Sequence, residues 1–344
     1  MTAPGPTTPA PLPPGHRTTR CALVTGGAGF IGSHLVDLLL ARGDAVTVID
    51  DLSTGARANL PDHPRLRFLH ARVGDALPAL DPSIRFDEVY HLAAAVGVAL
   101  VVRDPIASIE TNVEETAALF RFLLARGRPF PATLIASSSE VYGKSTKAAF
   151  AEDDDAVYGP TTVPRWSYAC SKAIDEHLTL AYHAMHGLPG VIARFFNTVG
   201  PRQVGTYGMV LPRFVAAALS GEPLIVHGDG TQSRCFGHVL DVVGVLPLLL
   251  ATKACHGRVF NVGSDRPITI ADLADLVIRT LGSRSTIHRI PYAEAFAGAP
   301  GTFEDLHRRQ PDLRRIREAV GFEPRRSLET TIRDVADHLR GARP

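Results

Sequence analysis

The chain has 344 residues, and its 36 Lys and Arg nearly cancel its 35 Asp and Glu, so its net charge gives no reason to expect nucleic acid or a membrane surface as a partner. The four cysteines are scattered without a C-x-x-C spacing, which argues against a disulfide framework or a zinc site. The apolar runs are too short to span a bilayer, so we expect a cytoplasmic protein with no membrane partner and no bound metal.

The N-terminal part of the chain alternates short β-branched runs with helical ones. Residues 1–19 are rich in Pro and Thr and are predicted to be a disordered tail. The runs CALVT, AVTVID, RLRFLH and EVYHLA follow as strands, with the helix FIGSHLVDLLLARG after the first. Helices near 105–126 and 166–186 lead to the strands ATLIASSS and GVIARFF. This alternation predicts an α/β fold, a Rossmann-type doubly wound parallel sheet.

The pattern loosens after Asn197 into pieces separated by Pro and Gly. A helix near 211–219 and a strand PLIVHG begin a second unit, and the segment 239–252 with RVFNVG indicates a return to the main sheet. We therefore predict a Rossmann domain over residues 20–196 plus 236–262. A smaller C-terminal substrate-binding lobe is predicted over residues 197–235 plus 263–344.

A glycine-rich loop follows the first strand and opens the first helix. Gly26, Gly29 and Gly32 have the G-x-x-G-x-x-G spacing that lets a pyrophosphate approach the backbone at a helix N-terminus. Asp50 and Asp51 come at the end of the second strand, where a carboxylate can accept both ribose hydroxyls and would repel a 2′-phosphate. These features predict NAD as cofactor, with Asp50 as the preferred ribose ligand. The alternative for Asp50 is that it only caps the next turn.

Tyr168 and Lys172 stand four residues apart on a predicted helix, so their side chains share one face. An ammonium and the positive nicotinamide ring of bound NAD would lower the pKa of the tyrosine from its usual value of about 10, which would allow proton transfer at a carbon bearing a hydroxyl. The run Ser137-Ser138-Ser139-Glu140 ends a strand at the sheet edge where α/β enzymes bind ligands. We therefore predict Tyr168, Lys172, Ser138, Ser139 and Glu140 as catalytic residues.

The motifs TGGAGFIGSHL, HLAA, SSSEVYG, YACSK, RFFNTVGPR and GDGTQSRCF occur in this order. With them the sequence resembles the extended short-chain dehydrogenases/reductases that modify nucleotide sugars, from Cys21 to about Leu339. The resemblance implies oxidation of the sugar at C4 by tightly held NAD and a homodimer. It also implies that Tyr168 is the base, that Lys172 lowers the pKa of Tyr168 and binds the nicotinamide ribose, and that Ser138 orients the hydroxyl.

The resemblance also implies contacts with the ligands. For the nucleotide-sugar, the expected contacts come from Ser138, Ser139, Tyr168, Asn197, Val210, Arg213, Gln232, Arg234, Arg309 and Asp312. For NAD, besides the residues already named, they come from Phe30, Ile31, Ser53, Thr54, Gly55, Asp75, Leu92, Ala93, Ala94, Asn112, Ser137 and Phe195.

The motifs disagree about the product. DDLSTG and RFFNTVGPR are closer to 4-epimerases, whereas PRWSY with SSSEVYG looks like enzymes that act on UDP-glucuronate, including its decarboxylases. We prefer a UDP-sugar 4-epimerase that converts UDP-glucuronate to UDP-galacturonate through a 4-keto intermediate, with UDP-glucuronate decarboxylase as the alternative. A 4,6-dehydratase is less favoured because the Asp-Glu pair usual after the serine is absent, and a non-catalytic NAD-sensing protein is less favoured because Tyr168 and Lys172 are both present.

Overall fold

The computed structural model describes residues 19–95, 104–205, 209–291, 294 and 307–341. Apart from residue 19, the tail predicted over 1–19 lies outside the described residues. No helix in the described ranges is long and apolar enough to cross a membrane.

A seven-stranded parallel sheet forms the centre of the molecule, which confirms the predicted fold class. Its strands are β1 (Cys21–Thr25), β2 (Ala45–Asp50), β3 (Leu66–His70), β4 (Glu88–His91), β5 (Ala132–Ser138), β6 (Gly190–Phe195) and β11 (Arg258–Val262). They lie in the order β11-β6-β5-β4-β1-β2-β3. The order reverses between β1 and β4, and ligands of such sheets bind outside the strand ends at that point.

Nine helices are described, and most of them cover the sheet. They are α1 (Phe30–Arg42), α2 (Val73–Ala76), α3 (Pro105–Ala125), α4 (Trp166–His186), α5 (Val210–Ser220), α6 (Val239–Ala251), α7 (Ile270–Leu281), α8 (Arg314–Val320) and α9 (Leu328–Gly341). On one face of the sheet, α1, α6 and α8 share a buried apolar cluster with the strands. On the other face, α2, α3 and α4 do the same. Both faces are covered because successive strand residues point to opposite sides.

A second apolar core lies under α5, α7 and α9 together with strand β8 (Leu224–His227). In α7 the buried residues Ile270, Leu273, Ala274 and Val277 recur at helical spacing, so one face of this helix packs against the core while the other faces water. Small sheets complete this part of the chain. They contain β7 (Thr198–Val199), β9 (Ser233–Cys235), β10 (Gly237–His238), β12 (Pro267–Thr269), β13 (Ile287–Ile290) and β14 (Arg308–Arg309).

Two segments do not pack where the predicted domain boundaries would place them. Helix α8 falls in the stretch assigned to the substrate lobe, yet Leu313, Ile316 and Phe322 belong to the apolar cluster of the main sheet. Strand β7 was assigned to the lobe and β10 to the Rossmann domain, and the two pair with each other. These contacts show that the predicted Rossmann domain and the predicted lobe also pack against each other. The domain assignment itself stays a prediction.

Candidate active site

The glycine-rich loop between β1 and α1 is built so that only glycine fits at two of its positions. Gly26 has a φ of +69°, and a Cβ there would lie 2.6 Å from the backbone nitrogen of Ala93. A Cβ on Gly32 would overlap the carbonyl oxygen of Gly26 and lie 2.8 Å from the Cα of Gly27. The first turn of α1 is thereby packed directly on the loop. This close approach leaves a cradle without side chains at a helix N-terminus, which fits the pyrophosphate of a dinucleotide.

Asp50 ties this loop to the end of β2. Its Oδ2 accepts a hydrogen bond from the Ala28 amide at 2.9 Å, and its Oδ1 accepts one from the Leu52 amide at 2.8 Å. Burial raises the pKa of Asp50, and the amides of Leu52, Ala28 and Gly29 oppose that rise. The turn-capping alternative is therefore present in the structure, but a carboxylate has about four acceptor positions, so three amides leave one for a ribose hydroxyl. Both roles are compatible in the same side chain.

The residues around Asp50 form a second wall of the cradle. Asp51 is exposed and accepts a hydrogen bond from the Ser53 amide, and Thr54 is also exposed. Gly55 approaches the loop so closely that a Cβ there would lie 2.9 Å from the carbonyl carbon of Ala28. Asp75 lies exposed in the short helix α2.

The remaining predicted cofactor residues lie along the same edge of the sheet. Leu92, Ala93 and Ala94 follow β4, and the Leu92 amide donates to the Thr25 carbonyl at 3.0 Å. Asn112 on α3 is buried, and its amide group spans two elements: it accepts from the Ala95 amide and donates to Ser171 Oγ on α4. Phe30 and Ile31 are half-buried at the start of α1, and Phe195 is half-buried at the end of β6.

Tyr168 and Ser138 lie together in the predicted pocket. Ser138 ends β5, and its hydroxyl accepts a hydrogen bond from the Glu140 amide at 3.2 Å and lies close enough to the Tyr168 phenol on α4 to lower its pKa. Burial is the main cause that raises the pKa of Tyr168 well above its usual value. The Glu140 and Asp175 carboxylates raise it further, whereas the Ser138 side chain lowers it. In the chain alone the phenol is therefore a poor acid.

Lys172 follows Tyr168 by one helical turn and is almost fully buried. Its Nζ lies 3.0 Å from Asp175 Oδ2, and the two side chains are 2% and 0% exposed. The sequence predicted that Lys172 and the nicotinamide ring together would lower the pKa of Tyr168. The protein's own groups raise it instead: burial is the largest cause, the Glu140 and Asp175 carboxylates add to it, and the Lys172 ammonium is paired with Asp175. The predicted lowering would therefore depend on the positive ring of the bound cofactor.

Glu140 is surrounded by arginines from distant parts of the chain. Arg309 Nη1 lies 2.6 Å from Glu140 Oε1, and Arg165 Nη2 lies 3.5 Å from Glu140 Oε2. Burial tends to raise the pKa of Glu140, but Arg309, Arg165 and Arg234 together hold that pKa below its ordinary value. Three guanidinium groups around one carboxylate leave an excess of positive charge beside Tyr168. Arg309 Nε is buried and has no hydrogen-bond partner among the described residues.

Strand pairing explains how two of these arginines meet. Strand β14 runs parallel to β9, and Arg309 is aligned with Arg234 in that register. Gln232 is buried just before β9 and donates to the His227 carbonyl at 3.1 Å. Asn197 has an unusual φ of +20°, and its Nδ2 donates to the Cys235 carbonyl. These predicted substrate residues therefore converge on the ends of β6 and β9.

Other predicted substrate or catalytic residues are engaged elsewhere. Arg213 is exposed on α5, and the Asp312 carboxylate forms an ion pair with Arg314 at the start of α8. Ser139 is buried in a 3₁₀ turn, Ser139–Tyr142, while Val210 begins α5. Ser137, predicted to contact NAD, donates to the Glu176 carboxylate. The structure brings none of these side chains into the described contacts of Tyr168.

Arg165 was not among the predicted site residues. It precedes α4, its side chain is 6% exposed, and it contacts Glu140 and the face of Trp166. The signal in the sequence was the run Pro164-Arg165-Trp166 three residues before Tyr168. One helical turn before Tyr168, an arginine side chain shares the face that carries the phenol.

Comparisons with known proteins agree with this geometry. A family model described as the NAD dependent epimerase/dehydratase family matches residues 22–263. The UDP-N-acetyl-alpha-D-glucosaminuronate decarboxylase of Bacillus cytotoxicus is 37% identical over 333 residues, which cover 93% of this chain and 98% of that protein. UDP-glucuronic acid decarboxylase 2 of Arabidopsis thaliana is 37% identical over 309 residues, covering 89% of this chain and 65% of that protein.

Solved structures show the same architecture. The UDP-N-acetylglucosamine 4-epimerase of Methanobrevibacter ruminantium superposes with a TM-score of 0.82 at 28% identity, covering 94% of this chain and 99% of that chain. The UDP-glucose 4-epimerase of Thermus thermophilus, solved in complex with NAD, superposes with a TM-score of 0.80 at 30% identity over the same shares.

Proposed function

The chain belongs to the NAD dependent epimerase/dehydratase family, and from this membership we propose that it decarboxylates a UDP-hexuronic acid. Its cofactor is NAD, as the family and the NAD-bound structural neighbours show. The sequence favoured 4-epimerisation of UDP-glucuronate and kept decarboxylation as the alternative. The relatives support that alternative better, because they are named decarboxylases, whereas the epimerase preference has support only at the level of the family.

The observation that carries the proposal is the position of Glu140 between Arg309 and Arg165, next to Tyr168. The excess positive charge favours an anionic group on the sugar. Glu140 occupies one edge of the Arg309 guanidinium, so a substrate carboxylate in this pocket would lie near a like charge. Loss of carbon dioxide relieves that repulsion. An epimerase, by contrast, has to retain the carboxylate.

The first step takes place at C4 of the sugar. NAD, when bound, accepts the hydride from C4 and can return it later. Tyr168 takes the proton of the C4 hydroxyl, and Ser138, which lies close enough to the phenol to lower its pKa, holds that hydroxyl in place. The product is a ketone at C4, which makes the C5 carboxylate a β-keto acid.

The second step breaks the bond between C5 and the carboxylate. Its electron pair moves into the C4 carbonyl, carbon dioxide leaves, and the resulting enolate oxygen lies at Tyr168 and Ser138. A proton from solvent water then adds to C5, where it replaces the carbon dioxide that left. Because the arginines hold the pKa of Glu140 below its ordinary value, Glu140 is ionised at neutral pH and serves to orient Arg309 and Arg165 rather than to donate that proton. Return of the hydride to C4 and of the Tyr168 proton to the C4 oxygen completes a UDP-pentose.

The decisive experiment incubates the purified protein with NAD and either UDP-glucuronate or UDP-N-acetylglucosaminuronate. We expect release of carbon dioxide and a product lighter by one carbon dioxide, measured by trapping the gas and by mass spectrometry. Product of unchanged mass with inverted C4 would support the epimerase and contradict the proposal. A product lighter by one water would support a dehydratase instead.

We also propose that the chain forms a homodimer through α3 and α4. These helices pack together and expose Ile106 (69%) and Ile109 (41%) on α3 and Ile174 (45%) on α4. Large exposed apolar side chains on neighbouring helices favour burial against a second copy. Light scattering on the eluted protein should give twice the chain mass, and Ile106→Glu with Ile174→Glu should give a monomer. A monomeric wild-type chain would contradict this proposal.

A further inference from the structure

A buried ion pair lies directly behind the proposed acid–base tyrosine. Lys172 and Asp175 are three residues apart on α4, joined at 3.0 Å, and almost no part of either side chain reaches water. Placing two charges in the interior opposes folding through desolvation, and a pair of this kind is not needed for stability. The pair is therefore best explained by the site that it serves.

The groups that face this pair from β4 and α3 are neutral, whereas Glu176, the next residue on α4, carries a negative charge that raises the pKa of Asp175. On β4, His91 is fully buried between Thr25 Oγ1 at 2.7 Å and Thr116 Oγ1 at 3.1 Å. Burial and the Lys172 charge lower the pKa of His91 to about 3, so this ring is neutral at working pH. The neighbouring helix α3 contributes the uncharged side chains of Thr116 and Asn112. Near the phenol, the acidic groups are Glu140 and Asp175.

We propose that Asp175 is a positioning residue that holds the Lys172 ammonium on α4 and divides its charge between the carboxylate and the Tyr168 phenol. An ammonium has three N–H donors, so the bond to Asp175 leaves the others for ligands in the pocket. Tyr168 stays protonated in the resting enzyme and becomes a better acid only when the positive nicotinamide ring arrives. The same balance favours return of the proton to the C4 oxygen at the end of the cycle. This inference rests on the proposed function in assigning proton transfer to Tyr168.

The test titrates the Tyr168 phenol in NAD-loaded protein without any sugar. The ultraviolet absorbance of ionised phenol is followed against pH, and the same titration of Tyr168→Phe is subtracted. Asp175→Asn keeps the shape of the side chain but removes its charge, so we expect the pKa of Tyr168 to fall by about one unit, a tenfold change in the phenolate ratio. Asp175→Glu, which keeps the charge, should restore most of the wild-type value.

The matched control is Glu176→Gln. Glu176 is the next residue on α4, is also buried, and pairs with Arg194 instead of Lys172. This variant should leave the pKa of Tyr168 unchanged. An unchanged or raised pKa in Asp175→Asn would overturn the proposal, and so would an equal fall in Glu176→Gln, because the effect would then be a general disturbance of α4. If Asp175→Asn fails to fold, Asp175→Ser is titrated in its place with the same expectation.

The pH dependence of kcat gives a second measurement. In whichever nucleotide-sugar reaction the protein catalyses, the acidic limb should move to lower pH in Asp175→Asn, whereas a merely structural role would lower kcat without moving the limb. The phenol titration contains no sugar, so it does not depend on whether the reaction is decarboxylation. Failure of the titration therefore counts against Asp175 alone, and failure to release carbon dioxide counts against the proposed function alone.

Discussion

The cofactor cradle and the charged pocket are built in opposite ways. In the cradle, Gly26, Gly32 and Asp50 lie within one βαβ unit and act through backbone geometry, since two positions have no room for a Cβ. In the pocket, Glu140 meets Arg165 and Arg309, which come from a helix start and a short strand far along the chain. The cradle is a local structure that binds, whereas the pocket is a tertiary structure whose charges carry out the chemistry. Substitutions in the two regions should therefore affect different measurements.

Tyr168→Phe tests this separation with the largest expected effect. Removing the phenolic hydroxyl removes the proposed proton transfer, so turnover should fall by about 10²- to 10⁴-fold while NAD remains bound. The measurement is kcat together with the NAD content of the purified protein. Tyr158→Phe is the matched control, because the Tyr158 hydroxyl is buried without a hydrogen-bond partner and should contribute little to turnover. Full activity in Tyr168→Phe would remove the tyrosine from its proposed role.

The same contrast explains how much could be predicted from the sequence. Period-2 and period-3.6 patterns indicated the strands and the main helices, and the parallel sheet followed from their alternation. The glycine spacing and Asp50 could also be recognised, because the motif itself specifies them, whereas the contact of Gly26 with Ala93 comes from the end of β4 and was not predicted. The segment of helix α6 was also predicted to return to the main sheet. It is apolar on nearly all sides and is buried there.

The charged pocket was beyond what a single sequence can show. The match of Arg309 with Arg234 depends on the register of two short strands, which no local pattern specifies. The ion pair of Lys172 with Asp175 depends on how deeply α4 is buried, so the sequence could not show that burial and nearby carboxylates raise the pKa of Tyr168 in the chain without cofactor. The lowering of that pKa with bound NAD stays a prediction. Asp312 shows the same limit, since the sequence could not reveal that Arg314 occupies its carboxylate.

Gly32→Ala should affect the cradle and leave the pocket intact. The added Cβ would overlap the Gly26 carbonyl oxygen, and overpacking of this kind costs about 1 to 3 kcal/mol. If that strain falls on the bound form, NAD affinity should weaken by about 5- to 150-fold, as measured by calorimetry. Gly244→Ala on α6 is the control, because nothing lies within 4 Å of a Cβ there. Unchanged NAD affinity in Gly32→Ala would mean that the cradle is not the pyrophosphate site.

Arg309→Gln should affect the pocket and leave the cradle intact. Glu140 loses its 2.6 Å partner and stays largely buried, so the free energy of unfolding should fall by about 1 to 2 kcal/mol. NAD affinity should not change, whereas turnover should. Arg308→Gln is the control, since Arg308 is the preceding residue of the same strand and is exposed. Equal loss of stability in both variants would show that β14 itself, rather than the ion pair, is responsible.

Glu140→Gln gives the smallest effect, and its sign follows from the direction of the pKa shift. Burial opposes ionisation of Glu140, but the arginines prevail and hold its pKa below the ordinary value of 4.5. A carboxyl group shifted in this direction stabilises the fold above its ordinary pKa, and that contribution is lost as the pH falls through the folded-state value. The wild-type chain should therefore lose unfolding free energy below about pH 4.5 more steeply than Glu140→Gln does, measured by urea unfolding at a series of pH values. Asp337→Asn, which removes an exposed carboxylate from a surface ion pair, should follow the wild-type slope. Identical slopes in wild type and Glu140→Gln would mean that the arginines do not favour the ionised Glu140 carboxylate in the folded protein. That result would contradict the electrostatic description of the pocket, whereas the description of the cofactor cradle would not be affected.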